Sequence, residues 1–463
     1  MTRAGERIGW FYCLAHSRIR VDSKILLCLL LSSFFVIYAG GCSLFHDQAL
    51  KGQQVWQNTD PPELPLKEKA RAYQDRLESR FQMPEGLIWY RRFPAKVEEK
   101  LKEQLQLKYL TLADGCFHLG MYLASQALRL ATTGDPKARE QVLLSLSAMK
   151  LYAELSGERG LLVRYFSPAT KPNAKPNLDR WRQSPTHPEY FFLSDVSRDQ
   201  YAGYIHGLGV TLAVVSDPEI RSLIAPLAGV LADHLIDNGL QIKEPSGTRK
   251  KRTTYGDLHG WSYGFIPNGV NSLICLAIAK TAAESTGEQK HINFYKKLVQ
   301  DGYPRITRWT YLGTFGKSNR VNANMAYVTL YPLLLLEKDQ EIVRDLREGA
   351  QRTWSRVSED HNVFFSFIHA AVVGDADEAK TKGHDAIREF PDSKLAVATR
   401  KSEPKSGQPT PLNLRPYVSA GTLWVGDPRE VVGHLVGEVE IAGIDYLIAY
   451  WLGRYHGFIG PDE

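Results

Sequence analysis

Four times in this chain an apolar segment runs into an Asp, and an amphipathic segment begins directly after it. The junctions are Gly134-Asp135-Pro136, Ser216-Asp217-Pro218, Lys338-Asp339-Gln340 and Gly374-Asp375. An Asp ahead of Pro or another polar residue accepts hydrogen bonds from the amides that open the next helix. Each junction therefore predicts the bend of a helical hairpin. Thr286-Gly287-Glu288 plays the same part between a helix from Val270 and one around 294–299.

Five hairpins follow from this punctuation: 112–156, 197–239, 269–303, 322–358 and 362–390. A helix at 439–455 with a helical region at 66–110 makes a sixth. Within each pair the first helix is the more apolar. The runs 210–215 and 333–336 are nearly unbroken, whereas the partners carry Arg139, Glu140, Arg344, Arg347 and Glu348. A helix apolar all round is buried and one with an apolar stripe faces water, so alternation of the two describes an inner ring wrapped by an outer one. The expected fold is all-α, an (α/α)6 toroid over 66–463. An open solenoid is the alternative, but the junctions recur at no fixed period. At 43% apolar and 23% charged residues, the chain has the balance of a globular protein with a large core.

Residues 1–42 belong to a different object. Arg3, Arg7, Arg18, Arg20 and Lys24 lead into an uncharged stretch from Ile25 to Ala39. That stretch is shorter than the roughly 20 residues of a bilayer span and suits a secretory signal. Ala39-Gly40-Gly41-Cys42 resembles the lipobox of bacterial lipoproteins, with Ala39 where Leu is commoner. The resemblance implies a signal peptide at 1–41, lipidation of Cys42 and a membrane contact through that lipid. Ser43, where the family's inner-membrane retention signal is Asp, implies sorting to the outer membrane, in the cell envelope facing the periplasm or exterior. Residues 42–65, polar and Pro-containing, read as a tether.

The net charge of +6 rests on 57 Lys+Arg against 51 Asp+Glu; without residues 1–42 these become 52 and 49. A nearly neutral mature chain gives no electrostatic case for nucleic acid as a partner. Cys13 and Cys28 leave with the signal. Cys116 and Cys275 remain, each in an apolar helical stretch, and either two buried thiols or a disulfide fits.

Asp114-Gly115 at a helix start, Tyr122-Leu123-Ala124-Ser125-Gln126-Ala127 and Thr133-Gly134-Asp135-Pro136 resemble the first hairpin of six-hairpin toroid proteins. Ser197-Arg198-Asp199-Gln200-Tyr201-Ala202-Gly203 is similar to the Asp-Gln segment of unsaturated glucuronyl hydrolases and related glycosidases. The likeness spans most of 100–455 in architecture and these two motifs in detail. It implies a carbohydrate-active domain whose partner is a polysaccharide or oligosaccharide, with glycoside hydrolysis as the leading activity. A non-catalytic glycan-binding or envelope-scaffold lipoprotein, or a polysaccharide lyase, stays open because one fold hosts many functions.

In such a toroid the loops that lead into the inner helices gather at one end. Glycoside cleavage needs one protonated carboxyl and one carboxylate, and Asp114 with Asp199 is the pair at neighbouring inner-helix starts. Tyr204, His206, His259, Trp261, Tyr263, Asn322 and Asn324 offer the flat faces and fixed donors of a sugar site. A bland reading stands beside each. Ser197 and Gln200 match a capping box, leaving Asp199 to complement the helix dipole, and the His/Trp/Tyr loop packs equally well over the rim. Tyr and His with Asn322 and Asn324 also suit elimination from a uronate. The thirteen His are scattered and no paired Cys motif occurs, so neither metal nor cofactor is expected. The Arg249-Lys250-Lys251-Arg252 run reads as a solvated loop or a guide for acidic glycan, and 392–416 as a surface loop.

Overall fold

The computed structural model describes residues 64–88, 114–169, 181–244, 253, 256–262, 264–310, 320–360, 362–374, 376–390 and 442–463, with short strands at 54–55, 90–93, 108–110, 395–398, 430–431 and 437–440. The signal peptide 1–41, Cys42, the tether apart from 54–55 and 64–65, Tyr263 and the basic run 249–252 lie outside the described residues.

Besides a single turn at Tyr303–Ile306, twelve helices pair off among the described residues. The inner six are α2 (Gly115–Thr133), α4 (Arg198–Val214), α6 (Gly269–Thr286), α8 (Arg320–Leu336), α10 (Val363–Val373) and α12 (Ile444–Tyr455). Their outer partners are α3 (Pro136–Glu154), α5 (Pro218–Asp237), α7 (Gln289–Gln300), α9 (Gln340–Val357), α11 (Asp377–Arg388) and α1 (Leu66–Arg80). Each inner helix packs on the next, and α12 packs on α2, so the ring closes. The fold is an (α/α)6 toroid.

Burial follows the pattern of the residues. In α4 every residue from Gln200 to Leu212 is buried, and in α6 every residue from Gly269 to Ala282. In α9 the buried set is a stripe, Ile342, Val343, Asp345, Leu346, Gly349, Ala350, Thr353, Trp354 and Val357, which is the spacing of one face of a 3.6-residue turn. Three of the junction Asp residues do what the sequence implies. Asp135 accepts from Lys137 N, Asp217 from Glu219 N and Ile220 N, and Asp339 from Glu341 N and Ile342 N. Asp375 lies outside the described residues; Ala376 precedes α11 with no side-chain cap. At the remaining bend Gly287 takes φ +65° and Thr286 Oγ1 accepts from Glu288 N at 3.1 Å.

The ring has no open bore. A Cβ on Gly120 of α2 would sit 1.9 Å from the Gly203 carbonyl oxygen of α4, and one on Gly207 2.6 Å from the Gly120 oxygen. Helix α4 also meets α8 across the ring, where a Cβ on Gly209 would lie 2.8 Å from Pro332 Cβ. Cys116 and Cys275 are buried free thiols, not a disulfide.

Strands trim the helical ring. Among the described residues of 66–110, only 66–80 are helical. Strands 90–93 and 108–110 join 437–440 and 395–398 in an antiparallel sheet ordered 108–110, 90–93, 437–440, 395–398. The helix expected from 439 therefore starts at Ile444, and part of the 392–416 loop is a strand. β-Branched and aromatic residues in Tyr90–Phe93, Lys108–Leu110 and Leu395–Ala398 suit a pleated edge better than an outer helix. A second sheet, β1 (Tyr165–Pro168), β2 (Trp181–Gln183) and β3 (Tyr190–Leu193), has β3 at its centre, and a small hairpin pairs β4 (Trp261–Ser262) with β5 (Ile266–Pro267).

Candidate functional site

In five of the hairpins the inner helix comes first in the chain and in the sixth α12 occupies the inner position, so the inner helices start at one end of the toroid. Helix N-termini carry partial positive charge, and carboxylates gather there: Asp114 ahead of α2, Asp199 in the first turn of α4 and Asp445 in that of α12.

The β-sheet before α4 places the key cation. Arg164 immediately precedes β1; its amide donates to Leu193 O at 2.9 Å and its carbonyl accepts from Cys116 N at 3.2 Å. This pins the side chain between the starts of α2 and α4. Its Nη2 donates to Asp114 Oδ1 at 2.5 Å and its Nη1 to Ser197 Oγ at 2.7 Å and Asp195 O at 3.3 Å. Asp195 holds φ +60°, a left-handed turn that swings the chain from β3 into α4.

Gln200 supplies the second arm. Its Nε2 donates to Asp114 Oδ1 at 2.8 Å and to Asp199 Oδ2 at 3.0 Å, while its Oε1 accepts from Phe117 N at 3.1 Å. Two bonds to one nitrogen keep these carboxylate oxygens within about 6 Å of each other. Asp114 is 4% exposed and Asp199 half-buried. Burial, reinforced by the neighbouring Asp199 charge and opposed by Arg164, pushes the Asp114 carboxyl up to about 7. One carboxyl of the pair thus holds a proton near neutrality.

A polar chain continues to the mouth of α6. Arg198 Nη1 donates to Asn271 Oδ1 at 2.7 Å, and Asn271 Nδ2 donates to Asp257 O at 2.9 Å and His259 O at 3.0 Å. The loop so held carries an exposed Asp257–His259 pair, Oδ1 to Nδ1 at 2.7 Å. Large aromatic faces stand out around it: Trp261 is 45% exposed, Phe265 55% and Trp309 44%. Trp309 abuts the α6 start, where a Cβ on Gly269 would meet its backbone carbon at 2.8 Å. Two buried polar atoms in the first turns of α6 and α8, Ser272 Oγ and Asn324 Oδ1, lack hydrogen-bond partners among the described residues.

No family model matches the chain, and no curated protein matches its sequence. Solved structures do. A family 76 glycoside hydrolase (mannosidase) of Bacteroides thetaiotaomicron is 8% identical with a TM-score of 0.43, over 84% of this chain and 98% of that one. A family 76 alpha-mannanase of the same organism is 8% identical with a TM-score of 0.44, over 85% and 95%. An endoglucanase of the termite Nasutitermes takasagoensis is 13% identical with a TM-score of 0.42, over 84% and 99%. The likeness is one of fold.

Asp114 and Asp199 are thus brought together, and the capping box is not formed: the Ser197 hydroxyl goes to Arg164, and Gln200 crosses to α2. His259 and Trp261 are exposed at the same end. Asn322, half-buried, donates from Nδ2 to Thr310 O at 3.4 Å. Tyr204 and His206 are not at the mouth, because they lie one to two turns inside α4. The Tyr204 hydroxyl donates to Met149 O at 3.0 Å, and His206 Nδ1 is 2.7 Å from Val328 O. Both are wholly buried, and burial pushes the His206 imidazole down to about 4; they pack the ring. No local motif marks Arg164, Phe265 or Trp309, and Gln200 stands in a frame that reads as a capping box. Among the described residues no group of three His, Cys, Asp or Glu is placed to hold a metal ion. A groove of about 730 Å³ between α3 and α5, floored by Leu146, Pro226, Leu227 and Val230, lies on the outer wall and touches none of the carboxylate cluster.

Proposed function

We propose that the protein is a glycoside hydrolase, lipid-anchored at Cys42 to the outer membrane, with Asp114 as general acid and Asp199 as its partner carboxylate. The observation that carries this is the pair itself: two carboxyls on one bridging amide, one pushed up to about 7 and the other half-open to solvent. An acid with a proton to give at neutral pH beside an accessible carboxylate is the equipment of glycosidic cleavage. The nearby Trp261, Phe265 and Trp309 supply apolar faces for pyranose rings, with His259 and the Asn322–Asn324 segment as polar contacts. A separation of about 6 Å or less is close to the distance that goes with retention of anomeric configuration.

The test is turnover of a polysaccharide panel by the purified chain, following reducing ends and the absorbance of unsaturated uronates. Hydrolysis abolished in Asp114→Asn and Asp199→Asn supports the assignment. Binding without turnover, equal in both variants, overturns it in favour of a glycan-binding protein; unsaturated products overturn it in favour of a lyase. Anchoring is tested separately: Cys42→Ala should release the protein from membranes, and retention there refutes lipidation.

A further inference from the structure

We infer that Gln200 is a positioning residue: one side-chain amide sets the separation of the Asp114 and Asp199 carboxylates and leaves Asp114 Oδ2 as the oxygen that carries the transferable proton. The inference rests on the acid assignment to Asp114 and specifies how that acid is held.

A glutamine amide has two N–H donors on one atom and an acceptor on the other. Here both donors are used on carboxylates and the acceptor on a backbone amide of the first turn of α2. The opposite orientation would set the carbonyl oxygen against two carboxylates and the NH₂ against an N–H, so only one assignment satisfies the neighbours. The residue is fully buried, and its own helix start is anchored by Gln200 N donating to Ser197 O at 3.0 Å. A buried amide with every polar atom engaged acts as a fixed spacer.

The same bonds decide which oxygen of Asp114 bears the proton. Oδ1 accepts from Arg164 Nη2 and Gln200 Nε2, groups that in these bonds only donate. A proton on Oδ1 would face two N–H groups. It therefore sits on Oδ2, which has no hydrogen bond among the described residues. In the cleavage step that O–H bond breaks as the glycosidic oxygen takes the proton and leaves with the electron pair of its bond to the anomeric carbon. Asp114 is left as a carboxylate held by the same two donors.

The experiment is ¹³C NMR titration of aspartate carboxyls in the full chain, with Asp114 assigned by loss of its signal in Asp114→Asn. Gln200→Met removes both donors at similar volume, so the Asp114 midpoint should lie above that of the wild-type chain. Gln200→Glu, with the same outline, should move it upward as well and serves if the Met variant does not fold. Where a glycan is turned over, kcat should fall about 100-fold with KM little changed. An Asp114 midpoint that stays put in a folded variant overturns the inference. An Asp114 midpoint that shifts as expected in the Gln200 variants, in a protein whose wild-type form cleaves no glycan, refutes the hydrolase reading and leaves the bridge standing.

Discussion

The toroid has two kinds of helix start, and they use the same residue type differently. Where the outer helices begin, Asp135, Asp217 and Asp339 turn their carboxylates onto the amides of the helix they precede. Where α2 and α4 begin, Asp114 and Asp199 cap nothing. Asp114 is bound instead by Arg164 from the edge of a β-sheet and by Gln200 from the neighbouring helix, and Asp199, among the described residues, by Gln200 alone. A carboxylate that caps is stabilised as an anion and serves the fold; one withdrawn from water beside another charge is stabilised as an acid. Asp217, capped and paired with Arg139, is held below the usual carboxylate range, while Asp114 is held well above it. Two aspartates at helix starts thus lie on opposite sides of their common reference value, for reasons visible in their partners.

The sharpest way to break this contrast is by activity. Asp199→Asn or Asp114→Asn should lower kcat/KM by about 1,000-fold or more in folded protein, whereas the same change at Asp217 should leave turnover intact; similar losses at all three would erase the distinction. For wild type, kcat/KM should fall as pH rises past about 7, because the acid loses its proton there. A profile flat to pH 9 would take the role from Asp114.

Next in size is the packing that brings the two inner helices close enough to share a glutamine. Gly120→Ala pushes a methyl into the Gly203 carbonyl and should destabilise by about 3 kcal/mol, measured by urea denaturation. A loss below about 0.5 kcal/mol would mean that α2 and α4 are free to separate.

Stability against pH follows from groups of opposite sense. Burial holds His206, His369 and His456 down to about 4. Their unfolded forms take up protons first, so they cost stability as pH falls from about 6.5 to 4. Asp114, raised, acts the other way: the folded form keeps its proton longer, and stability falls as pH rises from about 4 to 7. Three groups against one predict a lower urea midpoint at pH 5 than at pH 7, and the reverse order would contradict the histidine burial. The smallest effect belongs to the caps: Asp217→Ala should lower Tm slightly with activity unchanged.

The hairpins were legible because burial leaves a periodic trace: α6 is apolar all round, α9 shows a stripe, and Asp-Pro marks the bend between two helices. The bridge was not. Arg164 is 50 residues from Asp114 and Gln200 is 86, and no local pattern says that a Gln in a Ser-x-x-Gln frame will cross to another helix instead of closing a capping box. The place of Tyr204 and His206 was not legible either, because aromatic and imidazole side chains near a helix start look the same whether they face the mouth or the next ring, and only the packing against α3 and α8 decides. Nothing local marks Trp309, which ends a short turn of helix, whereas the fold sets it beside the α6 start.

The sixth hairpin is assembled from distant parts of the chain. Helix α12 finds its outer partner in α1, with Tyr446 Oη donating to Leu66 O at 2.8 Å, while Lys69 Nζ of α1 donates to Phe390 O just past α11 at 2.5 Å. Each of the other five pairs needs only a second helix that follows its first directly in the chain. This one has to wait, with α1 unpartnered, until residues beyond 444 are available to fold. The ring is therefore a clasp that shuts late, and α2, which bears half of the carboxylate pair, gains its α12 neighbour only at that moment. A truncated or stalled chain would hold hairpins without holding a ring.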